Sequence, residues 1–185
     1  MRLFYIRHAP TSVSFTGEMV KDYDRYGVVS FDREKWLKEV GSYISNDFVL
    51  LSSPLQRAVE TAKILFPEKE CKVMDSLREF DCSKLGDKKF WEISEEEFNS
   101  LVGLTKRVIT DKIVEFLCDC SSYGSDAQIV AVGHGFYGRC LYDYYSKGET
   151  CTPFEILNSK NFRFNNLDMM EIERCKVQNV FRFLR

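Results

Sequence analysis

A chain of 185 residues is long enough for one domain with a full core and short for two. Hydrophobic residues make up 44% of it and charged residues 29%, which excludes a disordered or collagen-like chain. A net charge of −2 supplies no global basic field for nucleic acid or an anionic membrane, so any anion site has to be built locally.

The first apolar run, Leu3-Phe4-Tyr5-Ile6, is too short for a helix and has the length of a buried strand. Arg7 and His8 stand where that strand ends, and Pro10 turns the chain. In open α/β sheets ligands bind at the carboxyl ends of strands, and an adjacent cation and imidazole at such an edge suit an anionic substrate. The N-terminus meets charge too early for a signal peptide, and no apolar run is long enough to cross a bilayer, so a cytoplasmic protein is expected. Residues 12–33 are rich in Ser, Gly, Asp and Tyr without a period and read as a loop over the site. Arg33 to Ile44 then places Trp36, Leu37, Val40 and Ile44 at helical spacing.

Asp47 to Leu51 reads as a second buried strand. It runs into a helix with Ser53 as N-cap, Pro54 at the first helical position and Gln56 completing a capping box. Leu55, Val59, Ala62 and Phe66 form its apolar stripe, and Pro67 ends it. Arg57 is out of place in the first turn, where the helix dipole disfavours a cation. A surface arginine there could simply extend into solvent. A bound anion would instead make the placement favourable.

Cys71 to Met74 reads as an edge strand, followed by the acidic turn Asp75 to Asp81. Helices are expected over Glu95–Leu101 and Thr105–Leu117, the second with Val108, Ile109, Ile113, Phe116 and Leu117 on one side. Gln128–Val132 is the next strand. Its end, Gly133-His134-Gly135, carries the other of the chain's two histidines in the same strand-then-turn design as the first. A helix then runs to Lys147, with Leu141, Tyr144 and Tyr145 facing the core and Gly148 as its stop. Beyond Pro153 the apolar residues alternate, which predicts terminal strands near Met169–Ile172 and Val177–Leu184. The seven cysteines form no paired framework or metal-ligand spacing, so reduced, mostly buried cysteines and no zinc are expected. With no linker or internal repeat, residues 1–185 read as a single domain.

Three segments together resemble the histidine phosphatase (phosphoglycerate mutase-like) superfamily. Ile6-Arg7-His8-Ala9-Pro10-Thr11 is similar to its Arg-His-Gly/Ala signature. Ser53 to Ala62 resembles its Ser-x-Leu-x-Arg-Ala-x-x-Thr segment, and Val130 to Arg139 its strand-Gly/Ser-His-Gly segment. The resemblance implies a three-layer α/β/α sandwich with a mostly parallel sheet. It implies a metal-free phosphomonoesterase, needing no cofactor, that acts on a small phosphorylated metabolite.

By the same resemblance His8 is the nucleophile. Arg7, Arg57 and His134 hold the phosphoryl oxygens, with the arginines keeping His8 neutral, and Glu79 is the acid that protonates the leaving oxygen. Asp81 is the nearest substitute for Glu79. The acid phosphatase branch places an Asp directly after its second His; here that position is Gly135. Two departures blur the subfamily. Asp81-Cys82-Ser83-Lys84-Leu85-Gly86 replaces the usual Phe-Gly-x-Trp-Glu-Gly, and Leu-Thr-x-x-Gly is missing near Phe31–Val40. Phosphoglycerate mutase, a phosphohistidine protein phosphatase and an inactive phosphate-binding or scaffold protein are the alternatives. Phe15, Tyr23, Tyr26, Trp91, Phe136 and Tyr137 are available to line a pocket.

Overall fold

The computed structural model describes residues 1–12, 27–81, 84, 92–148, 150–158, 164–174 and 179–184. Its sheet has six strands: β1 (Arg2–Arg7), β2 (Val49–Ser52), β3 (Cys71–Val73), β4 (Gln128–Gly133), β5 (Met169–Arg174) and β6 (Asn179–Leu184). They lie in the order β3-β2-β4-β1-β5-β6. β3, β2, β4 and β1 are parallel, and β5 pairs antiparallel with β1 and with β6. Helices α1 (Arg33–Glu39) and α2 (Gln56–Leu65) cover one face. On the other lie α4 (Lys106–Ser121), α5 (Gly135–Lys147) and α6 (Pro153–Asn158), with α3 (Glu95–Val102) packed outside against α6. This is the three-layer α/β/α sandwich with a mostly parallel sheet.

The central strands show why short unbroken apolar runs suffice. Leu3 and Tyr5 of β1 enter the core under α4 and α5, while Phe4 and Ile6 enter the core under α1 and α2. All four have 0% of their surface exposed. β4 divides in the same way, Ile129 and Ala131 to one core, Val130 and Val132 to the other. A parallel strand buried on both faces has no reason to alternate.

The structure corrects several expectations. The helix from Arg33 ends at Glu39, and a 3₁₀ turn at Gly41–Tyr43 takes its place. No capping box forms at Ser53–Gln56. Leu55 is the N-cap with extended backbone (φ −73°, ψ 136°), and Gln56 instead donates its side-chain amide to Glu60 at 2.6 Å. This delayed start turns α2, so that Arg57, Ala58, Thr61, Ala62 and Leu65 are its buried residues. Val108, expected inward on α4, is exposed.

Residues 153–158, expected in an alternating stretch, are helix α6. Its start carries a true capping box, with Glu155 N–H donating to Thr152 Oγ1 at 3.3 Å and Thr152 N–H to Glu155 Oε2 at 2.9 Å. Its last carbonyls, Ile156 and Leu157, accept from the Arg139 guanidinium. At the end of α5, Gly148 adopts φ +76° and donates its N–H to Tyr144 O at 2.9 Å, the stop the sequence indicates.

Of the described cysteines only Cys120 and Cys140 are buried; Cys118 is exposed and Cys71 and Cys151 lie between. Among the described residues the thiols are therefore divided between core and surface: Cys118 lies on the outer side of α4, Cys71 on the edge strand β3 and Cys151 between α5 and α6. Residues 13–26, most of the expected loop, lie outside the described residues, as does Phe162 in the alternating stretch beyond Pro153. The base of that loop is described: Thr11 bridges Val28, and Val28 N–H donates to Glu60 Oε2 at 2.8 Å. Among the described residues no helix is long and apolar enough to cross a membrane.

Gly138, inside α5, gives the packing a test. Glycine to alanine within a helix ordinarily stabilises by about 0.5–1 kcal/mol. Here a Cβ would stand 2.7 Å from Phe164 ring carbons and 2.8 Å from the Tyr5 ring. Overpacking of that kind costs about 1–3 kcal/mol, so it outweighs the propensity gain. Gly138→Ala should lower the denaturant midpoint; a raised midpoint would show that the rings yield.

Candidate active site

Strand register brings the two histidines together from far apart in the chain. Arg7 of β1 is opposite Gly133 of β4, and His8 N–H donates to Gly133 O at 2.9 Å. One step past both strand ends, the imidazoles of His8 and His134 lie 5.3 Å apart between centroids. β2 flanks β4 on its other side, and Ser53 N–H donates to Val132 O at 2.9 Å. The carboxyl ends of β1, β4 and β2 thus deliver His8, His134 and the start of α2 to one place, the position where ligands bind in such sheets.

The backbone around His8 is gripped from two directions. Ala9 N–H donates to Thr61 Oγ1 at 2.9 Å, and that hydroxyl donates to Arg57 O at 2.7 Å. From the turn preceding β5, Asn166 Nδ2 donates to His8 O at 2.9 Å, and Leu167 N–H donates to Arg7 O at 3.1 Å. The imidazole is itself 2.7 Å from Ala9 O through Nδ1. A carbonyl can only accept, so Nδ1 carries the proton and Nε2 is left with its lone pair. Burial, and then the charges of Arg57 and Arg7, lower the His8 pKa from 6.5 to about 3. At neutral pH this is a neutral imidazole with a basic nitrogen to offer. His134 is pushed well below its ordinary value by burial first, then by the charge of Arg57.

Arg57 is buried, 1% exposed, in the first turn of α2. Arg7 is half-buried and donates from Nη1 to Phe164 O at 2.6 Å. Its guanidinium lies over Gly135, where a Cβ would stand 3.0 Å from Cζ. Two cations are thereby set beside two neutral imidazoles in a partly desolvated place, a strong attractor for a compact anion.

Glu79 reaches the same region. Its Oε1 accepts from Phe80 N–H at 3.1 Å and Tyr137 N–H at 3.0 Å, and Oε2 from Phe136 N–H at 3.2 Å. The carboxyl therefore sits on the amino end of α5, directly beyond His134. A carboxylate offers about four lone-pair sites, so three amides leave one on Oε2. Burial raises its pKa, against the opposing pull of Arg57 and these amides. Asp81, the expected substitute, is exposed.

Arg7, His8, Arg57, Glu79 and His134 are therefore brought together. Among the described residues no group of three His, Cys, Asp or Glu side chains could hold a metal ion. Of the aromatic residues expected to line a pocket, Phe136 and Tyr137 belong to the core under α4 and α5 instead; the others lie outside the described residues. Sequence inspection missed three further contributors. Ser53, taken for a helix cap, has its Oγ 2.6 Å from His134 Nε2. Thr61 closes the Ser-x-Leu-x-Arg-Ala-x-x-Thr segment without an assigned role and Asn166 looks like an ordinary polar residue; only the fold gives both of them the His8 loop.

The chain matches the family model of the histidine phosphatase superfamily (branch 1) over residues 34–179. No curated protein sequence matches it. Among solved structures it is similar to a phosphoserine phosphatase from Entamoeba histolytica in complex with phosphoserine, at 18% identity and a TM-score of 0.77, covering 99% of this chain and 96% of that one. The alpha-ribazole phosphatase from Shigella flexneri is similar at 16% identity and a TM-score of 0.66, covering 100% of this chain and 96% of that one. At such identities these likenesses establish the shared fold.

The depressed histidines set a pH dependence. Below 6.5 the unfolded chain takes up a proton at His8 that the folded chain refuses until about 3, so acidification through that window drains stability. Glu79, whose folded pKa is raised above 4.5, acts in the opposite sense. The wild type should therefore lose more stability than His8→Asn between about pH 7 and pH 5. Urea midpoints of both proteins at the two pH values check this, and parallel losses would contradict it.

Proposed function

The chain belongs to the histidine phosphatase superfamily, branch 1, and on that premise we propose that it hydrolyses phosphomonoesters of small metabolites through a phosphohistidine at His8. The observation that carries this proposal is the state of His8. It is neutral, its Nδ1 proton is tied to Ala9 O, its lone pair is on Nε2, and the charges of Arg57 and Arg7 act on it.

In the proposed first step His8 Nε2 attacks phosphorus as the ester oxygen leaves in line. A P–N bond forms, a P–O bond breaks, and Glu79 delivers a proton to the departing alkoxide. Arg7, Arg57 and His134 hold the non-bridging oxygens, whose charge a low-dielectric site stabilises most effectively. In the second step water attacks the phosphohistidine, Glu79 takes the water's proton, and inorganic phosphate departs with His8 restored. The raised pKa of Glu79 and the site left on its Oε2 support the acid role. A small phosphorylated substrate is in keeping with the phosphoserine and alpha-ribazole phosphatases that share the fold.

A phosphoenzyme is the direct test. Rapid quench with a labelled phosphoester should trap acid-labile, base-stable label that is absent from His8→Ala; label surviving in that variant would refute the nucleophile. Glu79 is tested by leaving group. Glu79→Gln should slow phosphoenzyme formation from an alkyl phosphate by about 10² to 10⁴, the range of a general acid, and far less from an activated aryl phosphate. Equal losses with both esters would remove Glu79 from the acid role.

A further inference from the structure

We infer that Tyr5 is a positioning residue for the phosphoryl-transfer site: its hydroxyl sets the backbone of His134, and through it the imidazole that faces His8. This inference rests on the function proposed above, which gives Tyr5 no part.

Tyr5 lies in the middle of β1 with 0% of its surface exposed. Its Oη accepts from His134 N–H at 2.7 Å and donates to His134 O at 3.0 Å. One hydroxyl therefore serves both polar backbone groups of a single residue. His134 needs such a partner because it stands between two regular elements. β4 ends at Gly133, so the β1–β4 ladder no longer serves the His134 amide. α5 begins at Gly135, and His134 is its N-cap with extended backbone (φ −127°, ψ 165°). An unserved buried amide at this joint would cost stability and leave the joint free to choose another conformation.

The space for the phenol is built into β4 and α5. A Cβ on Gly133 would collide with the Tyr5 hydroxyl and stand 2.7 Å from its Cζ, and one on Gly138 would stand 2.8 Å from the same ring. Tyr137 stacks on the ring at 5.9 Å and Phe164 lies against it at 5.8 Å, so the ring cannot swing away. With the backbone held by Tyr5, the imidazole is fixed at its far side by Ser53 Oγ, 2.6 Å from Nε2. Tyr5 and Ser53 come from β1 and from the segment after β2, the two neighbours of β4. His134 is thus held from both sides by the strands that flank its own.

Tyr5→Phe removes one oxygen and tests the inference. It should lower kcat about tenfold or more, since small misplacements at a transfer site cost up to about 10²-fold. KM should stay within about twofold, because a displaced His134 acts on the transition state rather than on uniform binding. The chain has only two histidines, so ¹⁵N-histidine spectra report each ring separately. The His134 ring signals should be single and sharp in the wild type and broadened or doubled in Tyr5→Phe, a change that loss of stability alone would not produce in folded protein. If Tyr5→Phe fails to fold, Gly133→Ala, which presses on the same hydroxyl, should give the same pair of effects. Wild-type kcat with sharp His134 signals in whichever variant folds would overturn the inference, provided His134→Ala is inactive. An active His134→Ala would overturn the functional proposal itself, and with it the place of Tyr5.

Discussion

The pairing of β1 with β4 is the constraint on which the site depends. Because Arg7 lies opposite Gly133, the residues immediately beyond both strands are the two histidines, and His8 N–H donates to Gly133 O across the gap. A slip of one residue would turn every side chain of β1 to the other face. Leu3 and Tyr5 would exchange cores with Phe4 and Ile6, and each core is filled by a different set of partners, Tyr137, Phe116 and Phe164 on one side and Trp36, Leu65 and Met169 on the other. Packing along the whole strand therefore enforces an alignment that matters chemically only at its end.

Electrostatics at that end follow from where the charges are placed. Arg57 occupies a helix position at which a cation is disfavoured, and it is buried there. Its charge lowers the pKa of both histidines and opposes the raised pKa of Glu79. Arg7 and Arg57 thus bring two cations to one place in a chain that as a whole carries −2. Two guanidiniums beside buried imidazoles attract an anion more strongly than the same charges would in water.

Much of this was legible in the sequence, for physical reasons that differ from residue to residue. β1 and β4 were readable because both faces are buried and the runs are unbroken. Arg57 was readable because it breaks the dipole rule, and Gly148 because only a left-handed residue ends a helix in that way. The two capping boxes show the limit. Ser53–Gln56 has the right letters, but Ser53 is drawn to His134 and the helix begins later. Thr152–Glu155 has letters as good and does form the box, yet the alternation of apolar residues downstream hid a helix of six residues. The contacts of Tyr5, Thr61 and Asn166 were beyond reach because their partners are set by the sheet order, which no local pattern encodes.

The turn before β5 has a consequence for how the molecule comes into being. Phe164 O, Asn166 Nδ2, Leu167 N–H and Asp168 O all bond to Arg7 or His8. Leu167 is held at φ +65°, a conformation that side chains other than glycine rarely adopt, so the turn is shaped for this contact. On the ribosome the turn that secures the end of β1 emerges long after that strand, since Asn166 follows His8 by 158 residues. A nascent chain can therefore hold most side chains of the site and still lack the grip that fixes His8 in place. Chemical competence arrives with the late strands, as a property of the finished sheet.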